Sequence, residues 1–485
     1  MIDYFRLLPI LASPRPALVI VSGLALKKTF AKDPVVDRSL RASIKDGVFF
    51  STMVGTSESY FGAYAVLLKA SAPQVGLLAS LPPLLAAFGQ ILSVWASHRL
   101  GFRNPIIIGG ALIQVFALAL LIVLPDVGHS TFPLLLAAVV LYFVGPNIGA
   151  PLWAGLMGQL VPESSRGRFF ARRTRLSTIA SFSGLIIAGG LLQWFDQLDL
   201  ARYGFTCIFA IGLTARLISA YYLSRVQDPQ KQLLSTAAAF PSIKQIAADP
   251  AYLRFTAFFA MMQFSVAISG PFVVVYLLTT LHYSYFALTL NTAASVFVQF
   301  VVLSRWGRLS DLFGNRIILR VTGFSIPFVP LLWTLNDHVS YLIGLQMLSG
   351  LIWSGFTLSA NNALFDLTTG SGRTGRVALH NLLSSFAVFS GAAFGSLILL
   401  NWSWIEPHLM GLITLPTLTF TGVFLASATL RLATAAAFLP RITEPRAVRR
   451  MTYHGLIFRV TRFSPISGVI FEGITRVRKR DDPTN

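Results

Sequence analysis

The chain holds one cysteine, Cys207, in 485 residues, which excludes an intramolecular disulfide and any cysteine cluster for zinc or an iron–sulfur centre. Charge is scarce as well. Asp, Glu, Lys and Arg make up 12% of the chain, about half the share a soluble domain uses to cover its surface. Acids are the scarcer sign, 19 against 39 Lys and Arg. The histidines, His98, His129, His282, His338, His380, His408 and His454, form no i, i+3 or i, i+4 pair, and there is no Gly-x-Ser-x-Gly elbow, GxGD-type aspartate pair or P-loop. No catalytic residue, metal or cofactor is therefore expected, and ATP is not expected to act directly. The apolar run from Ala17 to Leu26 is too short to span a bilayer and lacks a cleavage-like continuation, so no cleavable signal peptide is expected. It belongs either at the membrane interface or in a mobile arm.

What the chain has in quantity is apolar surface: 54% hydrophobic residues and a mean hydropathy of +0.67. The apolar residues fall in stretches of about twenty, the length that crosses a ~30 Å hydrocarbon core as a helix. The expected class is an all-α membrane protein of about 12 transmembrane helices. In the first half these are expected at 46–68, 74–96, 105–124, 131–157, 176–195 and 203–224. The second set is expected at 253–279, 284–304, 317–335, 339–366, 377–400 and 412–438.

The basic residues sort by side. Of the 39 Lys and Arg, 35 fall on one face of this scheme, the exceptions being Lys69, Arg202, Arg216 and Arg431. That is the positive-inside pattern, which puts both termini in the cytoplasm. The surplus of +20 is thus a matter of topology, and no nucleic-acid partner is expected. The domains read as a cytoplasmic arm at 1–45, a six-helix half at 46–225, a polar cytoplasmic linker at 226–252, a second half at 253–438 and a basic tail at 439–485.

The halves echo one another. Ser97-His98-Arg99-Leu100-Gly101-Phe102-Arg103 after the second helix parallels Ser310-Asp311-Leu312-Phe313-Gly314-Asn315-Arg316 after the eighth. Arg166-Gly167-Arg168 after the fourth parallels Thr374-Gly375-Arg376 after the tenth. Two parallel six-helix repeats are the architecture this predicts.

The stretch from Gly307 through Asp311 and Gly314 to Arg316 resembles the signature loop of the major facilitator superfamily, Gly-x-x-x-Asp-(Arg/Lys)-x-Gly-x-(Arg/Lys). A small Gly307 would let helices approach, and Asp311 would accept from a helix N-terminus or an arginine across the seam, a latch for one side of the membrane. Leu312 stands where the family usually has a basic residue, and in the first half His98 replaces the acid beside Arg99, Gly101 and Arg103. The resemblance covers about 46–438 through helix count, symmetry, linker and loops. It implies alternating access around a central cavity, and a secondary transporter in the cytoplasmic membrane. The expected state is a monomer.

Inside the expected helices Glu58 stands out, flanked by Thr56, Ser57, Ser59 and Tyr60. An ionisable group at that depth costs several kcal/mol unless it faces a cavity or is neutralised, so function is its default reading. Either it couples protons, or it ties two helices together. The resemblance implies a cavity lined partly by the first helix. Pro146 and Pro151, with Gly145 and Gly149, are expected to break the fourth helix and offer Asn147 to that cavity, with Gln263 of the seventh helix facing it. Asn291, Gln346 and Asn361 complete the candidate polar lining, each with interhelical bonding as the plain alternative. Arg216 is expected to snorkel to the interface.

The substrate expected is a small organic solute, the abundance of Phe leaning toward an organic solute over an inorganic ion. The basic, apolar-interleaved tail is expected to dock on anionic lipid or to stay disordered. A passive facilitator or a transporter-derived sensor is the alternative to a proton-coupled carrier.

Overall fold

A computed structural model describes residues 29–100, 103–126, 131–227, 249–368, 373–402, 419–442 and 444. The described residues are all helix, turn and loop. The linker and tail expectations fall mostly outside them.

In the first half, α1 (Pro34–Ser57) passes through a 3-10 turn at Glu58–Tyr60 into α2 (Phe61–Leu67), and α3 (Ala72–Leu100), α4 (Asn104–Val123), α5 (Thr131–Leu160), α6 (Arg166–Asp196) and α7 (Ala201–Ser224) follow. In the second, α8 (Pro250–Ala267) leads through a 3-10 turn, the short α9 (Val273–Val275) and a π turn at Tyr276–Thr280. Then come α10 (Tyr285–Phe313), α11 (Asn315–Ser325), α12 (Phe328–Leu332), α13 (Val339–Leu367), α14 (Arg373–Leu400) and α15 (Thr419–Phe438).

Ten helical segments among the described residues are long and apolar enough to cross a membrane. Two further stretches fill the places of the first and ninth expected helices: α1 with α2, and α11 with α12. The first departs from expectation, because α1 starts at Pro34 and its opening turns carry Asp37, Arg38, Arg41 and Lys45. The fifth departs likewise, since α6 begins at Arg166.

Both halves open alike. Asp33 caps α1 by accepting from the Val35 amide at 2.8 Å, and Asp249 caps α8 by accepting from the Tyr252 amide at 3.0 Å. A proline follows each acid, its missing N–H harmless in the first turn. Packing repeats as well: α1 lies against α6 and α7 as α8 lies against α14 and α15, while α3 pairs with α5 as α10 pairs with α13. The contacts need glycine where backbones meet. A Cβ on Gly55 of α1 would collide with the Ser181 carbonyl, and one on Gly391 of α14 with the Phe264 carbonyl.

The halves join through α3 against α14 and α6 against α10. Tyr60 Oη donates to the Leu185 carbonyl at 2.6 Å and bonds Thr289 Oγ1 at 3.0 Å, and the Phe286 amide donates to Gln193 Oε1 at 3.3 Å. These contacts lie toward the end of the bundle opposite the 226–252 linker.

Candidate functional site

A cavity of about 520 Å³ lies inside the first half, toward the linker end. Its walls are Asp46, Phe50 and Ser51 of α1, Ile107 of α4, Pro146, Gly149, Ala150 and Trp153 of α5, Arg216 and Leu223 of α7, and a long face of α6. Only Val296 comes from the second half. The α6 face is hydroxyl-rich: Thr174, Ser177, Thr178 and Ser181 recur at i, i+3, i+4 and i+7 and so share one side of the helix.

Its polar centre is Asp46 with two arginines. Ser219 Oγ donates to Asp46 Oδ1 at 2.7 Å and accepts from Arg216 Nη1 at 2.6 Å. Arg173 Nη2 stands 3.5 Å from Asp46 Oδ2, while its Nε donates to the Ser43 carbonyl at 3.2 Å. Aromatic faces carry the guanidiniums: Arg173 lies 4.3 Å from the Trp153 ring centroid and Arg216 5.0 Å from that of Phe50. Gly47 makes the room, since a Cβ there would sit 2.9 Å from Arg173 Nε. Asp46 and Arg216 are each only 4% exposed. Charges so far from water persist only when paired and hydrogen-bonded.

Two expectations change here. Arg216 does not snorkel; it turns inward, because Ser219 and Asp46 give its charge a partner within the bundle. Arg173, grouped by sequence with the basic loop after the fourth helix, stands inside α6 and lines the cavity.

The predicted lining residues sit elsewhere. Asn147 Oδ1 accepts from Gln90 Nε2 at 2.7 Å and its Nδ2 donates to the Phe143 carbonyl at 2.8 Å. Its helix runs unbroken through Pro146 and Pro151, so no frayed segment presents it to the cavity. Asn291 Oδ1 accepts from Gln346 Nε2 at 2.9 Å. The two amide pairs join α3 to α5 and α10 to α13, the same junction in each half. Gln263 is half-buried and Asn361 exposed, both outside the cavity lining.

Glu58 occupies the 3-10 turn between α1 and α2, half-buried, and Tyr142 Oη donates to its Oε2 at a long 3.4 Å. It stands roughly 18 Å along the helix from Asp46, at 1.5 Å per residue, and does not line the cavity.

At the signature loop, Asp311 is exposed, and the bonding runs through its neighbours. Asn362 Nδ2 donates to Ser310 Oγ at 3.2 Å, Ser310 Oγ to Asn315 Oδ1 at 2.6 Å, and Asn315 Nδ2 to Asp366 Oδ2 at 3.2 Å. The close approach expected of Gly307 is absent, since a Cβ there meets no described atom within 4 Å. Gly314 does carry a constraint, with φ +84° and ψ 168°. Beside it the Arg316 amide donates to Glu444 Oε2 at 2.9 Å.

In the first-half copy, Arg103 Nη2 donates to Gln159 Oε1 at 3.1 Å. Gly101 and the side chains of His98 and Arg99 lie outside the described residues. Arg166 donates to the Gly158 carbonyl at 3.2 Å and Arg168 to the Thr29 carbonyl at 3.3 Å, with Gly167 between them in open space among the described residues. Gly375 is buried, and Arg376 pairs with Asp249 at 2.8 Å, tying the start of α14 to the start of α8.

An all-helical bundle of two matching halves, with ten segments able to cross a membrane, defines a multi-pass membrane protein. Residues 47–269 match the sequence model of the Major Facilitator Superfamily. Among solved structures, a bacterial homologue of the human lysosomal transporter Spinster, inward-facing and unoccupied, is 14% identical with a TM-score of 0.58, covering 90% of this chain and 100% of that one. A D-xylose–proton symporter is 15% identical, TM-score 0.62, over 84% of this chain and 98% of its own. A bacterial homologue of the iron transporter ferroportin, inward-facing, is 16% identical, TM-score 0.63, over 84% and 99%. A search of curated proteins found no match. The chain is thus similar to the Major Facilitator Superfamily in sequence over 47–269, and both halves share the fold of these solved structures.

Proposed function

We propose that the protein is a secondary transporter that carries a small organic solute across the cytoplasmic membrane by alternating access, with proton coupling through Glu58. The observation that carries this reading is the placement of the cavity: it lies toward the linker end, while the described hydrogen bonds between halves, Tyr60 to Thr289 and Phe286 to Gln193, lie toward the other. Together with the basic residues on the linker side, this supports an inward-facing arrangement with both termini cytoplasmic. A volume of about 520 Å³ suits a small molecule, such sites running from about 300 to 1,000 Å³. The proton-coupled part rests on Glu58, a carboxyl at the break of the first span held by one long bond from Tyr142.

The test is substrate-dependent proton movement in proteoliposomes loaded with a pH-sensitive dye, wild type beside Glu58→Gln. Solute uptake with a proton signal that the variant loses is the expected result. Uptake and proton movement that persist in the variant would make Glu58 a helix tie and move coupling elsewhere.

A further inference from the structure

Three hydrogen-bond donors at the cavity wall have no partner among the described residues: Arg216 Nε, Trp153 Nε1 and Ser177 Oγ. The first two can only donate, so what they lack is an acceptor. The large majority of buried side-chain polar atoms are paired, so three unpaired donors gathered on the wall of one cavity, two of them able only to donate, point to a ligand there. The charge count points the same way. Asp46 balances one of Arg173 and Arg216, leaving one positive charge inside an apolar bundle, and Arg216 is 4% exposed. A cation would meet two guanidiniums at that centre, and a neutral solute would leave the surplus charge uncompensated. The remaining wall, with Phe50, Trp153, Phe182 and Ile107, favours a carbon skeleton over a bare inorganic ion.

We propose that this cavity binds an organic monocarboxylate, its carboxylate held between Arg216 and Arg173 and its apolar body lying along Phe50, Trp153 and Phe182. The guanidinium fork matches a carboxylate's two oxygens, which is why arginine serves such contacts. The assignment deepens the transporter reading and rests on it only in treating the ligand as the transported solute.

The test uses the full chain, purified in detergent, with Cys207→Ser and a reporter thiol from Thr178→Cys, a wall position outside the Asp46, Arg173 and Arg216 cluster. Labelling rates are compared for an anionic sulfonatoethyl and a cationic trimethylammonioethyl methanethiosulfonate, each normalised to a free thiol. A positive cavity should favour the anionic reagent about tenfold or more, as charged clefts do, and Arg216→Gln should abolish the preference. If that variant does not fold, Arg173→Gln serves in its place. Millimolar monocarboxylates from acetate to octanoate, and benzoate, are then tested as protectants beside their amides, with at least one acid expected to slow labelling and its amide not.

Failure of both reagents to react, a normalised ratio at or below one, no protection by any acid, or equal protection by the amides would each overturn the assignment. Uptake separates the two readings. A carboxylate that protects but does not enter proteoliposomes keeps the site and removes the transporter. A transported solute that gives no protection keeps the transporter and removes the site.

Discussion

Arg216 and Arg431 occupy matching positions in the two halves, and among the described residues only Arg216 has a carboxylate in its cluster. They sit in Thr214-Ala215-Arg216-Leu217-Ile218-Ser219-Ala220 and Thr429-Leu430-Arg431-Leu432-Ala433-Thr434-Ala435. Arg216 reaches Asp46 through Ser219. Arg431 Nη2 donates instead to Ser269 Oγ at 3.0 Å and weakly to the Val266 carbonyl at 3.4 Å, with no acid paired to it among the described residues. Counted from the shared Asp-Pro start, the place of Asp46 falls on Met262, fully buried in the second half. The two halves share the arginine, and the first alone has the acid at this place.

Removing the acid on the first side should therefore be costly. Asp46→Asn would leave Arg173 and Arg216 facing one another without a counter-charge, a loss of about 3–5 kcal/mol where one partner of a buried pair is removed. Thermal unfolding in detergent should show a lowered midpoint, with part of it restored in Asp46→Asn/Arg216→Gln. A double variant no more stable than the single would show that charge imbalance is not the cause.

The amide pairs Gln90–Asn147 and Gln346–Asn291 should behave as interhelical ties. Alanine at either end should cost about 0.6–1.7 kcal/mol, the measured scale for such bonds within membranes, and double-mutant cycles should show coupling within each pair. Uptake KM should not move. A raised KM with unchanged stability would place Asn147 or Asn291 against the solute after all.

Two glycines of the signature loop should part company. Gly314 sits at φ +84° and ψ 168°, a region open essentially to glycine alone, so Gly314→Ala should cost about 1–3 kcal/mol. A Cβ there would also press on the Glu444 carboxylate that receives the Arg316 amide. Gly307→Ala meets open space among the described residues and should leave the melting curve in place. Equal effects at the two positions would contradict this division.

Close packing of α1 on α6 and of α8 on α14 should respond alike to bulk. Gly55→Val and Gly391→Val each drive a side chain into a backbone carbonyl, which cannot move aside as a side chain could, and overpacking typically costs about 1–3 kcal/mol. Gly190, with no described atom within 4 Å of its Cβ position, serves as the tolerant control. The readout is the yield of monodisperse protein and its unfolding temperature.

Much of the fold was legible because apolar length is a strong signal, and ten of the expected spans appear as long apolar helices. The echo of loops between halves foresaw the matching packing. The start of α1 was not legible by hydropathy, since Asp37, Arg38, Arg41 and Lys45 make its first turns resemble a cytoplasmic arm. The signal present was Asp33-Pro34, repeated as Asp249-Pro250.

The candidate site was the harder part. Arg173 lies in the run Arg172-Arg173-Thr174-Arg175, which composition assigns to a basic loop, and Asp46 marked only a boundary. The spacing of Thr174, Ser177, Thr178 and Ser181 would have shown a polar helix face. What no spacing shows is that α1, α6 and α7 bring Asp46, Arg173 and Arg216 together. That follows from packing.

The cavity draws one wall residue, Val296, from the second half and the rest from the first. If the halves rock against each other as units, a solute seated there is cargo riding in one half, keeping its contacts while the outlet changes sides. Affinity would then be nearly the same from either compartment, because the contacts that hold the solute stay with it when the outlet changes.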